Sequence, residues 1–185
     1  SMGLKISIDS ASMFNKALEM IEAKHLFGLE PYQVEVIVHP QSIVHSMVAY
    51  HDGSVLAQLG PSDMRVAIGY ALNFPQRGQL PVERLDFAKL SRLDFEAPDE
   101  GRFPALRLAR QAMEQGGLSG AILNGAKEVA LDAFIGGRLP FLKMAEIVEA
   151  VMERVRSPEP AALEDVFAAD GEARSMALQY LHSDK

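Results

Sequence analysis

Residues 5–23 read KISIDSASMFNKALEMIEA, and the folding of this run decides what the rest of the chain is built around. Phe14, Leu18, Ile21 and Leu26, with Met13, Ala17 and Met20 alongside, fall at helical spacing. An amphipathic helix is therefore predicted from about Met13 to Phe27. The residues ahead of it read as a short polar strand end. On the first turns stand a hydroxyl, an amide, a cation and a carboxylate: Ser10, Asn15, Lys16 and Glu19. A helix N-terminus offers unpaired backbone N–H groups and the positive end of the dipole, which suits an anion such as phosphate. Glu19 is the odd member, because a carboxylate repels phosphate unless a cation stands between them. On spacing alone a plainer account is the better supported one. Lys16 and Glu19 are three apart and make a solvated ion pair, Asn15 shares a face with Glu19, and Ser10 or Ser12 caps the helix.

Working outward, VEVIVH (34–39), IVHSMVAY (43–50) and SVLAQLG (54–60) are strand-like and rich in β-branched residues. Asp52-Gly53 is a two-residue hairpin signal, since glycine takes the positive φ such turns require, so 43–60 is predicted as an antiparallel hairpin. Pro75, Pro81, Pro98 and Pro104 then punctuate a stretch with little periodicity, expected to be an extended connector. Helical spacing returns afterwards. One helix carries Leu106, Ala109, Ala112 and Met113 and ends near Gly116-Gly117. A second carries Val129, Ala130, Ala133 and Phe134 and ends at Gly136-Gly137. A third carries Met144, Ile147, Val148, Val151 and Val155. A short turn around Leu163–Phe167 and a last helix from about Asp170 to Leu181 complete a small helical bundle.

The chain has 185 residues, ample for one well-buried domain or two small ones. Its net charge of −7 leaves no basic face for displacing counterions, so a nucleic-acid partner is not expected. It contains no cysteine, which rules out disulfides and thiolate metal sites and suits a reducing cytoplasm. No apolar run approaches the roughly 20 residues that span a bilayer, and no basic-then-apolar signal peptide is visible, so neither a membrane partner nor export is expected. His39, His45 and His51 lie six apart, which is no zinc spacing; His39 and His51 are expected in turns and His45 as a half-buried hydrogen-bonding residue. Met64, within SDMR (62–65), fits core filler better than a cover over a ligand. No G-x-G-x-x-G, Walker loop, G-x-S-x-G or H-E-x-x-H occurs.

Longer strings carry more. KISIDSASMFNKALEMIEAKHLF, then VEVIVHPQSIVHSMVAYHDGSVLAQLG with SDMR, then LDFAKL and LNGAKEVALDAF, strongly resemble the 1-deoxy-D-xylulose 5-phosphate (DXP) reductoisomerase family, in order along essentially the whole chain. The resemblance implies conversion of DXP to 2-C-methyl-D-erythritol 4-phosphate, in non-mevalonate isoprenoid biosynthesis, with NADPH and Mg²⁺ or Mn²⁺. It implies an α+β fold: residues 1–73 as the end of a catalytic domain, with an antiparallel or mixed sheet remnant and a long active-site helix, 74–101 as connector, and 102–185 as a C-terminal helical bundle. It also implies a cytoplasmic homodimer.

On matching positions, the resemblance makes Ser10, Asn15 and Lys16 substrate contacts, chiefly to the phosphate. Glu19 becomes a metal ligand that also faces the substrate, with Lys16 and Glu19 the catalytic candidates. Gly3 matches a position that approaches NADPH, and His45 a supporting histidine. The family's NADPH domain and its upstream D-S-E metal motif have no counterpart in these residues, so the isolated chain is expected to be inactive. Ser12, Phe14, Ser62 and Ala67 depart from the commoner family residues without removing a named contact. The alternative is a non-catalytic phosphate-binding or dimerisation module derived from the same family.

Overall fold

Helices dominate the computed structural model, which describes residues 3–183. In chain order the elements are α1 (Leu4–Ala11), α2 (Phe14–Phe27), a 3₁₀ turn (Pro31–Gln33), β1 (Val44–Ala49), β2 (Val55–Leu59), α3 (Met64–Asn73), α4 (Phe87–Leu90), α5 (Pro104–Gln115), α6 (Ser119–Ile135), α7 (Lys143–Arg154) and α8 (Leu163–Ser183). Two compact units result. One joins the described residues up to Val36 with those from Asp99 onward; the other is Ile37–Pro98. The division therefore runs differently from a linear cut at residues 73 and 101, because α2 buries its apolar face among the C-terminal helices.

That burial builds the first unit. Phe14, Ala17, Met20 and Ile21 of α2 join one core with Leu106, Leu108, Ala109 and Met113 of α5, Ile122, Leu123, Ala126 and Leu131 of α6, and Met144, Val148 and Val151 of α7. Pro104 opens α5, where a missing N–H costs nothing, and one face of that helix is fully buried. α6 is apolar around most of its circumference and packs on α2, α5, α7 and α8, as a central helix must. α8 meets it through Ala169, Ala173 and Ala177, all buried at four-residue spacing. The approach is so close that a Cβ on Gly125 would lie 2.9 Å from Asp170 Oδ1 and 3.0 Å from the Asp170 carbonyl oxygen. This contact carries α8 unbroken from Leu163 to Ser183. The expected turn at Leu163–Phe167 is instead the first helical turns, where Asp165 Oδ2 accepts from the Ala161 and Ala162 N–H groups. Arg107 on α5 and Glu149 on α7 add an exposed bridge of 2.7 Å, and the guanidinium lowers the Glu149 carboxyl from its usual range.

The second unit holds the hairpin. β1 and β2 pair antiparallel with Val44 opposite Leu59, Met47 opposite Ala57 and Ala49 opposite Val55. Asp52-Gly53 does turn the chain, but within a three-residue loop. The Tyr50 N–H donates to the Ser54 carbonyl (2.9 Å), the Gly53 N–H to the Tyr50 carbonyl (3.0 Å), and Gly53 takes φ +87°. VEVIVH forms no strand; only Val38 bridges, to Glu96, an isolated antiparallel pair. A side of His39 closes the same corner, its Nδ1 2.7 Å from the Asp94 carbonyl oxygen and its ring stacked on Phe95 at 4.7 Å. α3 begins within SDMR, started by Asp63, whose side chain accepts from the Arg65 N–H. No large apolar side chain described in this unit is buried, and Met47, Val48, Leu56, Ile68, Leu72 and Phe74 are exposed.

Candidate functional site

The first turns of α2 are set by a bend rather than by a strand. Residues 4–11 are helical, not extended, and α1 runs into α2 through Ser12 and Met13. The Ser12 hydroxyl is buried and donates back to the Ile8 carbonyl (2.9 Å) and the Asp9 carbonyl (3.3 Å). It thus closes the end of α1 instead of capping α2. Met13 is the N-cap of α2 at φ +61°, a left-handed conformation that a side-chain-bearing residue rarely adopts. No side chain caps the N-terminus of α2.

Asn15 and Lys16 stand in that first turn, with Glu19 one turn on. They meet as a closed cluster. Asn15 Nδ2 donates to Glu19 Oε1 at 3.0 Å, and Lys16 Nζ lies 2.5 Å from Glu19 Oε2. The ion pair allowed by the spacing is therefore formed, with both side chains roughly half exposed. Asn15 and Lys16 thus place an amide and an ammonium group on one surface of the first turn, both directed at the Glu19 carboxylate. Phe14 and Ala17, fully buried on the opposite face, anchor that turn to the core. Ser10 is exposed on the last turn of α1, and Gly3 is the N-cap of α1.

Two expectations change. His45 is exposed rather than half-buried, because it is the extra residue of a β-bulge between Val44 and Ser46. Its ring bonds to Gln58 Oε1 and the Ser42 carbonyl, 3.1 Å each. His39, which does open a turn, is the half-buried histidine. Met64 is no core filler; it begins α3 and is 71% exposed. SDMR contains a different constraint: the Arg65 guanidinium and backbone N–H together hold the Asp63 carboxyl down to about 2.

Among the described residues no three His, Cys, Asp or Glu side chains gather as a metal cluster. These residues do not make a metal centre by themselves, and no G-x-G-x-x-G cradle is present for a dinucleotide. No helix of the described residues is long and apolar enough to cross a membrane.

One charged group escaped sequence reasoning. Lys127 on α6 is almost wholly buried, its Nζ 3.1 Å from Asp9 Oδ2 and 2.8 Å from Glu128 Oε1. Its place was visible in principle: Leu123, Lys127, Ala130 and Leu131 follow the inward-facing rhythm of α6, and a lysine there requires a partner.

Comparison with known proteins agrees with this architecture. A family model described as "DXP reductoisomerase C-terminal domain" matches residues 59–176, and one described as "1-deoxy-D-xylulose 5-phosphate reductoisomerase C-terminal domain" matches residues 1–27. The DXP reductoisomerase of Rhizobium etli (strain CIAT 652) is 72% identical over 185 residues, all of this chain and 47% of that relative. That of Sinorhizobium medicae is 74% identical over 178 residues, 96% of this chain and 46% of the relative. Among solved structures, the Zymomonas mobilis reductoisomerase in complex with NADPH superposes with TM-score 0.90 at 51% identity, over 96% of this chain and 47% of that one. A DOX-P reductoisomerase in complex with NADPH, fosmidomycin and magnesium gives TM-score 0.92 at 42% identity, over 98% and 47%. The chain spans about half the length of the curated relatives it matches. A family model covers most of the sequence and close relatives cover all of it: the chain belongs to the DXP reductoisomerase family.

Proposed function

We propose that this chain is the C-terminal part of a longer, NADPH- and divalent-metal-dependent reductoisomerase that converts DXP to 2-C-methyl-D-erythritol 4-phosphate in isoprenoid biosynthesis, and that its share of the work is to grip the substrate. The observation that carries this is the uncapped N-terminus of α2 with Asn15 and Lys16 in its first turn, within a sequence 72% identical to a named reductoisomerase along its whole length. Lys16 and the helix N–H groups bind the substrate phosphate, with Asn15 and Ser10 donating beside them. Glu19 serves as one carboxylate of a metal site completed by residues outside this sequence. Asn15 and Lys16 hold that carboxylate in place, and ligand binding exchanges the Lys16 contact for the phosphate. Gly3 approaches NADPH. Residues 1–73 belong to the catalytic domain, 74–101 to the connector and 102–185 to the bundle; the longer protein is a cytoplasmic homodimer.

Because the metal and dinucleotide sites are not complete in these residues, the isolated chain is expected to bind phosphate without turning over substrate. Calorimetry with DXP on the wild-type chain and on Lys16→Ala tests this. Binding weakened at least tenfold by Lys16→Ala, with no NADPH oxidation by the chain alone and turnover by a protein extended to its relatives' full length, is the expected set. Unchanged affinity in Lys16→Ala removes Lys16 from the grip. Absence of turnover in the extended protein favours a binding or dimerisation module.

A further inference from the structure

We propose that Lys127 is a positioning residue that fixes the bend between α1 and α2, and through it the first turn of α2. The inference rests on the phosphate grip proposed above and asks what holds that grip in place. α1 is only eight residues long and has no buried residue of its own; Ile8 packs against the core but only partly. Apolar burial is therefore a weak fastening at this end. The bend it enters is under strain, with Met13 left-handed at φ +61°, and such a conformation persists only where its surroundings over-determine it. On the α2 side Phe14 and Ala17 do so, both buried in the core.

On the α1 side the fastening is ionic. Lys127 reaches from α6 to Asp9, 118 residues away in sequence, across 3.1 Å, with 3% of its side chain exposed and 14% of that of Asp9. Asp9 adjoins Ser10, and its own carbonyl accepts from the Ser12 hydroxyl. Lys5, one turn earlier on α1, meets Asp132 of α6 at 2.8 Å and Glu128 at 3.9 Å, so two lysines pin α1 to one helix from opposite directions. The second Asp9 oxygen, Oδ1, is buried without a hydrogen-bond partner among the described residues. The pair is thus not optimised as a stabilising device. A buried ion pair is in general no better for stability than a well-packed apolar replacement, and its best-attested use is to fix one geometry over others.

The test uses the 185-residue chain with inorganic phosphate as the probe, read by amide chemical shifts and hydrogen exchange. In the wild-type chain phosphate is expected to move the amides of Asn15 and Lys16. In Lys127→Met the Ser12, Met13 and Ala17 amides, which close the bend, are expected to exchange at least tenfold faster while those of α7 stay within twofold. The phosphate Kd is expected to rise at least tenfold, and Lys127→Arg to restore most of it. Should Lys127→Met unfold, Asp9→Asn/Lys127→Met carries the test, since it leaves no unpaired buried charge. It is expected to recover the wild-type melting temperature with the bend still exchanging fast and phosphate still weak. A double variant with wild-type exchange at the bend, or a Lys127→Met chain that loses only melting temperature, overturns the proposal. Failure of the wild-type chain to bind phosphate overturns the grip instead, and the exchange at the bend then decides on Lys127 alone.

Discussion

Replacing Phe14 by alanine asks whether the candidate site is held from beneath by the helical core. Phe14 is 1% exposed and is the first residue of α2, directly after the left-handed Met13 and directly before Asn15 and Lys16. A phenylalanine buries on the order of 150 Å² or more, and at ~25 cal/mol per Å² the transfer term is roughly 4 kcal/mol. Buried Phe→Ala changes generally cost about 3–5 kcal/mol, so the two routes agree. For a chain of this size about 1 kcal/mol corresponds to roughly 2–4 °C, which places the expected fall in melting temperature at about 8–16 °C. Urea unfolding followed by circular dichroism measures it, with Leu26→Ala on the same helix as control. Leu26 is 77% exposed, so its replacement should stay within about 0.5 kcal/mol of wild type. The two variants should also separate in phosphate binding, because only Phe14 lies under the gripping turn. A loss below about 1 kcal/mol for Phe14→Ala, or equal losses for both, would refute the claim that α2 is seated in the C-terminal core.

Gly125→Ala places a Cβ 2.9 Å from Asp170 Oδ1 and 3.0 Å from a backbone oxygen. Despite the better helix propensity of alanine, it is expected to destabilise by about 1–3 kcal/mol, read by the same unfolding curves, and a stabilised variant would contradict the close α6–α8 approach. The Asp63 carboxyl, held to about 2 by Arg65, favours the folded state above its ordinary value of 3.8, and this contribution disappears as pH falls from there through about 2. Its ¹³C carboxyl resonance should titrate with a midpoint near 2; a midpoint near 3.8 would remove the Arg65 contact. Hydrogen exchange should separate the two units, with β1 and β2 amides far less protected than those of α6, because a two-stranded sheet without buried apolar cover is marginal. Equal protection in both would show that the hairpin gains cover from something outside these residues.

Where the signals were local, the sequence was readable. The glycine in Asp52-Gly53 located the hairpin, although Tyr50 and Ser54 close it one residue wider than a two-residue turn. The apolar stripe of Leu106, Ala109, Ala112 and Met113 located α5, which Pro104 opens, and α7 followed from its own spacing. Misreadings cluster where a distant partner decides. KISIDS alternates like a strand, yet it is helical because Lys5 and Asp9 meet α6 across more than a hundred residues. VEVIVH has strand composition, but Glu96 provides a bridge for Val38 alone, so no ladder forms. The sequence predicts a turn at Leu163–Phe167 ahead of a helix from about Asp170, and packing of Ala169, Ala173 and Ala177 on α6 accompanies one helix through both. The histidines show the same dependence: Asp94 and Phe95 partly cover His39 in its turn, while His45 sits at a bulge of an exposed hairpin.

The identity of the residues in the polar cluster was legible from local spacing. Spacing put Asn15, Lys16 and Glu19 on one helical surface, and the long matching strings placed the chain in its family. Spacing left undecided whether Lys16 and Glu19 were an idle surface pair or part of a site, since i,i+3 neighbours meet in either case. In the folded chain the turn beneath them is anchored by buried Phe14, has no side-chain cap, and follows a helix whose Asp9 meets the buried Lys127 of α6. That information resides in contacts between residues far apart along the chain, which no local window of sequence contains.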